Sequence, residues 1–371
     1  LEIKNLELSI QLRHNLHQHP ELSNQESWTK QYLISFLRTN TKLEIVDNGH
    51  WFYAIYHAGE EKENIAFRAD FDAIPVPETI GVPYASQFPG VAHKCGHDGH
   101  AASLAGLALE IDQKGADKNI FFLFQHAEET GEGAIQCVTF IKKHNIKEIF
   151  AYHNRSGMVL NSINIIDGTS FCASKGMIIH MEGSPAHASE PEKGANPAFA
   201  IAKIIDAIPG LISPENNKGM VLCTVIQVDI GERAFGVAAS MGDLLLTIRA
   251  LYEIELDKLQ ENLENLALTQ AEKYKLKVSF SYNDVFPETA NHKVSSDKIR
   301  QACKNKGFQL VEMKEAFRAS EDFGHYLKQT QGAICFIGTG ENYPPLHSYE
   351  YDFPDKIIET AVELFKGLAE L

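Results

Sequence analysis

The side chains best suited to hold a cation or move a proton fall in four short segments and at one late histidine. The segments are RADFDA at 68–73, HKCGHDGH at 93–100, HAEE at 126–129 and YHN at 152–154, with His347 in PPLHSYEYDF. In HKCGHDGH, Cys95 and His97 flank Gly96. In an extended segment their side chains point the same way, so a thiolate and an imidazole can share one transition metal. Such a pair also occurs as ordinary buried residues. Asp98 and His100 favour the metal, because a ligating imidazole usually needs a carboxylate or carbonyl on its second nitrogen. In HAEE, Glu128 and Glu129 follow an apolar run, where adjacent carboxylates are costly without compensating charge unless the strand is emerging into water. Consecutive strand residues face opposite ways, so one glutamate can ligate while the other stays free as a general base. Cys95, His97 and Glu129 then form a ligand set short of donors, which His153 and His347 can complete. Five donors with a sulfur able to bridge suit two divalent ions, and this mixture accommodates zinc, manganese, cobalt or nickel.

The elements that must position these residues follow from periodicity. Leu6, Ile10, Leu12 and Leu16, then Tyr32, Leu33, Phe36 and Leu37, have helical spacing interrupted by Pro20, so two helices precede a first strand at 65–71. Strands at 119–125 and 148–153 alternate with helices at 99–111 and near 134–144. The three strands are apolar on both parities, as strands covered on both faces must be. This predicts an α/β sheet with helices on both faces and the polar segments at the strands' C-terminal ends, where open α/β sheets place ligands. From about 173 the pattern becomes strand 176–181, helix 196–208, strands 221–230 and 243–251, helix 254–274 and strand 277–284, a complete βαββαβ unit. Helix 295–306, strand 333–338 and helix 354–371 are too few for a third domain. Residues 173–284 are therefore expected as an insertion into one discontinuous domain, 1–172 and 285–371.

Length and charge narrow the function classes. A chain of 371 residues is long enough for two domains with their own cores. Its net charge of −15 repels phosphate backbones and anionic lipid surfaces, which argues against nucleic-acid or membrane partners. The six cysteines show no disulfide framework, so a reducing compartment, the cytoplasm, is expected.

In order along the chain, RHNLHQHPELSNQE, RADFDAIP, HKCGHDGHAASLAG, FQHAEETGEGA, GSPAHASEPEKGANP, SEDFGHYL and LHSYEYDFPD resemble the aminoacylase and carboxypeptidase-G family of dinuclear metal hydrolases. The branch related to hippurate hydrolase and indole-acetyl-amino-acid hydrolase is the nearest resemblance. It implies a mixed-sheet, zinc-peptidase-like catalytic domain and a ferredoxin-like insertion acting as lid and dimerisation domain. It also implies Cys95, His97, Glu129, His153 and His347 as ligands of two divalent ions and Glu128 as general base. His187 is implied as a residue donated to the partner subunit's active site, with Asp70 and Asp72 as supports behind the ligands. Two positions depart from the family pattern. Gly236 stands where relatives carry an Asn that grips substrate, and His126 stands where they carry Pro.

The expected activity is hydrolysis of the amide bond of an N-acyl amino acid or short peptide-like substrate by a homodimer or dimer-based oligomer. Glu128 would take a proton from the attacking water and give it to the leaving amine. Two other classes remain. A metal-independent thiol hydrolase would use Cys95 as nucleophile with His97 or His100 as base. A non-catalytic metal-binding homologue would explain the departure at Gly236.

Overall fold

The computed structural model describes all 371 residues, whose contacts separate into two compact units. One comprises Leu1–Ser170, Thr289–Ala316 and Glu321–Leu371; the other comprises Phe171–Glu288 with Phe317–Ser320. No helix is long and apolar enough to cross a membrane.

The larger unit begins with helices α1 (Ile3–Gln18) and α2 (Ser27–Asn40), separated by the turn at Pro20. Next come strands β1 (Glu44–Asn48), β2 (Trp51–Tyr56) and β3 (Asn64–Asp70), helix α3 (His97–Lys114), and strands β4 (Asn119–Gln125) and β5 (Glu148–Ser156). The sheet has eight strands in the order β1, β2, β4, β3, β5, Gln331–Gly340, Ile163–Ile165, Leu310–Glu312. β3 runs parallel to β4 and β5, whereas β2 is antiparallel to β4, so the sheet is mixed. The hairpin β1–β2 lies upstream of the strand that the sequence predicts to be first. β1 carries Glu44 and Asp47 and sits at the sheet edge, so it lacks the two-sided apolar signature of interior strands.

Helices cover both faces. Phe52, Phe67, Phe122 and Phe124 join α1 and α3 in one core, with Phe52 and Phe124 stacked at 4.6 Å. On the opposite face, Phe140 packs against Tyr53 at 5.0 Å and Phe121 at 5.6 Å. Each fully buried ring contributes roughly 1.5–3 kcal/mol, which fixes the sheet register and with it the strand ends.

The smaller unit is a four-stranded antiparallel sheet, in the order Val221–Ile230, Met241–Ala250, Ala173–Glu182, Lys277–Phe286. Its helices Ala198–Leu211 and Glu253–Tyr274 pack on one face through Ile201, Ile204, Leu256 and Leu263 against Ile179 and Leu246. Chain order and strand order together are those of a βαββαβ ferredoxin-like fold.

Candidate metal centre

The donors gather at the C-terminal ends of β3, β4 and β5, through turns rather than through strand alternation. Cys95 and His97 are not in an extended segment. Gly96 adopts a left-handed conformation (φ 102°) and His97 opens α3. A Cβ at Gly96 would lie 2.7 Å from Asn154 Oδ1, so this position requires glycine on both counts. Glu128 and Glu129 likewise lie beyond β4, in a turn that Ala127 enters with φ 48°. Both carboxylates therefore face the same imidazole, with His97 Nε2 3.9 Å from Glu128 Oε2 and 3.8 Å from Glu129 Oε1. The expectation that the pair diverges by strand pleat is replaced by this turn. A left-handed non-glycine costs about 1–2 kcal/mol, which surrounding hydrogen bonds must hold in place.

The side chains form two donor triads sharing one sulfur: Cys95, His97 and His153, and Cys95, Glu129 and His347. Within each triad the donor atoms lie within 4.8 Å of one another. Cys95 Sγ is 3.6 Å from His153 Nε2, and His347 Nε2 is 3.4 Å from Glu129 Oε1. The His153 ring is turned this way by Nδ1 on Asn154 O at 2.7 Å. His347, half-exposed and left-handed (φ 64°), is held by its N–H donating to Lys94 O.

These residues fit divalent ions. His97 Nε2 and Glu129 Oε1 are buried without a hydrogen-bond partner, and buried polar atoms are seldom left so. Two donors of one tetrahedral ion stand about 3.4–3.7 Å apart, close to the separations seen. The centre also attracts positive charge. Cys95 and Glu129 push His347 up to about 10. Burial alone would lower His97, but Asp70, Cys95 and Asp72 hold it well above the usual imidazole range.

Asp72 supports the ligands directly. Its Oδ1 meets His97 Nδ1 at 3.0 Å, and its Oδ2 accepts from Glu129 N at 3.0 Å and Ser23 Oγ at 2.7 Å. Asp70 accepts from Arg68 Nη1 at 2.6 Å, pairs with His100 Nδ1 and lies 3.8 Å from His97 Nε2. His100 is thereby spent on Asp70 and Asn154. Asp98 does not reach a ligand imidazole. Its carboxylate binds His17 Nδ1 at 2.8 Å and Arg13 Nη1 at 3.2 Å because α3 turns it toward α1. His187 belongs to the smaller unit, exposed on a short strand paired with Val237–Ala238, its Nδ1 2.7 Å from Ser189 Oγ. A Cβ at Gly236 would meet nothing within 4 Å, so the side chain that the family pattern carries has room there.

Sequence reasoning assigned no role to Arg68, Glu321, Asp322 or Glu26. Fully buried Arg68 bonds Asp70, Glu321 (3.1 Å) and Asp322 (2.7 Å). Glu128, Glu321 and Asp322 form a third buried group. Burial, together with Glu321, Glu129 and Asp322, pushes Glu128 well above the usual carboxylate range. The SEDFGHYL and PELSNQE segments are visible in the sequence, but nothing local reveals a partner a hundred or more residues away.

The pairing of His17 has a measurable consequence. Burial lowers its pKa, but hydrogen bonds to Asp98 and Glu78 outweigh this and raise it from 6.5 to about 9. A folded pKa above the unfolded one gives stability that is full below 6.5 and lost as pH rises through about 9, on the order of 3 kcal/mol. The stability difference between wild type and His17→Gln, from urea titrations, should shrink between pH about 6 and about 9.5. An unchanged difference would exclude a charged His17.

A mixed α/β sheet that collects thiol, imidazole and carboxylate donors at its strand ends, with a βαββαβ unit within the chain, defines a zinc-peptidase-like architecture. The chain belongs to peptidase family M20/M25/M40, whose profile matches residues 66–371. It is 29% identical over 97% of its length to the N-acetyldiaminopimelate deacetylase of Bacillus pumilus, covering 96% of that protein. It is 27% identical over 89% of its length to the N-acetyl-L-cysteine deacetylase of Bacillus subtilis, covering 80% of it. Its fold matches the YXEP protein of Bacillus subtilis, a dinuclear metal binding peptidase, with TM-score 0.84 and 24% identity over 99% of this chain and 98% of that one.

Proposed function

We propose that the protein is a metal-dependent amidohydrolase that releases the amine from N-acyl amino acids or short peptide-like substrates. The observation that carries this reading is the pair of donor triads sharing Cys95, with the orphaned His97 Nε2 and Glu129 Oε1 aimed into them. Cys95, His97, Glu129, His153 and His347 would hold two divalent ions, which supply Lewis acidity toward the amide carbonyl and the attacking water. Glu128 takes a proton from that water as its oxygen bonds to the carbonyl carbon. As the carbon–nitrogen bond breaks, Glu128 returns the proton to the leaving nitrogen. Burial, with Glu321, Glu129 and Asp322 nearby, holds the Glu128 carboxyl above its ordinary range. Asp72 fixes the His97 ring, and Asp70 acts through Arg68 and His100. Deacetylase relatives that act on N-acetylated amino acids support this substrate class. A screen of N-acyl amino acids and dipeptides with metal-loaded protein, scored for free amine, tests it; no release from any of them rejects it.

We further infer a homodimer in which His187 serves the partner's site and stabilises the oxyanion. The sheet of the smaller unit ends in the strand Val221–Ile230, whose Val225, Ile226 and Val228 are exposed. Unpaired backbone and exposed apolar side chains suit pairing with a second copy. Mixing inactive His187→Ala with inactive Glu128→Gln protein under subunit exchange should restore up to about a quarter of wild-type activity. Random exchange makes about half of the dimers mixed, each with one complete site. No recovery despite exchange removes the role in trans.

A further inference from the structure

The turn carrying Glu128 and Glu129 is held from two sides by buried carboxylates. Asp72 Oδ2 accepts from Glu129 N at 3.0 Å. Glu26 Oε1 accepts from Ala127 N at 2.8 Å. Between them the turn closes on itself: Ala127 O accepts from Gly133 N at 3.0 Å and Glu132 N at 3.2 Å, and Glu128 O accepts from Gly131 N at 2.8 Å. Approach is so close that a Cβ on Gly133 would lie 1.7 Å from His126 O.

Glu26 reaches this turn because the loop between α1 and α2 is fastened to the end of β3. Ala73 N donates to Glu21 O at 2.9 Å, Leu22 bridges Ala73, and Ser23 Oγ donates to Asp72. The Glu21 carboxylate in turn caps α2 through Trp28 N and Thr29 N. Glu26 itself is buried, and its Oε2 has no partner. Its Oε1 meets Ala127, the residue in left-handed conformation immediately before Glu128.

We propose that Glu26 is a positioning residue for the hydrolytic reaction: with Asp72 it clamps the amides on either side of Glu128, holding Ala127 left-handed so that the base is presented in one orientation. The proposal rests on the amidohydrolase reading. Its role is to accept one hydrogen bond, so Gln can replace Glu and Ala cannot.

In metal-loaded protein, Glu26→Ala should lower kcat by about 10–100-fold, as a misplaced catalytic group does, with KM changed by less than about threefold and metal content unchanged. Glu26→Gln should stay within about threefold of wild type, because its amide oxygen still accepts from Ala127. Ala127→Gly in the Glu26→Ala background should recover about tenfold, since glycine adopts the left-handed region without the clamp. If Glu26→Ala does not fold, Glu26→Asp, with its acceptor withdrawn by one methylene, carries the same expectation. Hydrogen exchange reads the clamp without activity: residues 124–134 should exchange faster in Glu26→Ala and not in Glu26→Gln. Wild-type kcat in both Glu26→Ala and Glu26→Asp, or no recovery with Ala127→Gly, overturns the proposal. Wild-type protein inactive on every N-acyl substrate overturns the hydrolytic reading, while unchanged exchange at 124–134 overturns the clamp by itself.

Discussion

Glu128→Gln is expected to cost about 10²–10⁴-fold in kcat while leaving the metal content of the protein nearly intact, the range in which removing a general acid–base group falls. The substitution keeps the shape of a buried side chain and removes its ability to accept a proton. Glu128 stands beside His97 and Glu129, so distance alone would also allow it to be a ligand. The contrast lies in its other neighbours. Glu128 faces Glu321 and Asp322, whereas Glu129 faces Cys95 and His347. Replacing Glu129 with Gln takes charge from the shared-sulfur triad and should lower metal occupancy together with activity. Metal content by atomic emission and kcat on the best substrate of the screen separate the two roles. Equal metal loss in both variants, or a Glu128→Gln protein retaining most activity, would show that the division is wrong.

The strand ends were legible because burial on both faces writes a signal that survives in short windows. IAFRAD, IFFLFQ and IFAYH are apolar on both parities and become β3, β4 and β5. The donors follow those runs directly, so their convergence could be read before any contact was known. The local geometry could not. Period-two reasoning assumes extended backbone, and both donor pairs sit at left-handed residues, Gly96 and Ala127, where the chain leaves that conformation. Asp98 was misplaced for a related reason: once His97 opens a helix, the next side chain turns away by about 100°, here toward Arg13 and His17. In the edge hairpin, β1 is hidden because it mixes charged and apolar residues, whereas β2 (WFYAIY) carries the same two-sided apolar run as β3, β4 and β5 and was readable. Arg68 and Glu321 lie 253 positions apart, a pairing that no local pattern encodes. His187, exposed on a short strand beside Ser189, has ordinary surface surroundings, and only the family resemblance distinguishes it.

Removing metal should abolish turnover and, at the same time, change the chemistry of one cysteine. If Cys95 is the sulfur shared by two ions, its lone pairs are engaged in the loaded protein and iodoacetamide should not reach it. Chelation should then reduce activity by more than about 100-fold and raise the rate of Cys95 alkylation about tenfold or more, because ligand deprotonation and metal binding are coupled. Cys223 supplies an internal reference: it is the one cysteine that is not buried, and it should react equally in both states. Re-adding metal should restore activity to unmodified protein but not to protein alkylated at Cys95 while metal-free, since the bridging donor has been consumed. A thiol hydrolase predicts the reverse pattern. Its Cys95 would react in the loaded protein, activity would fall in proportion to modification, and chelator would have no effect. The three imidazoles and Glu129 around Cys95 favour the first pattern, because a nucleophile needs one base, whereas a sulfur shared by two ions would need all of these donors around it.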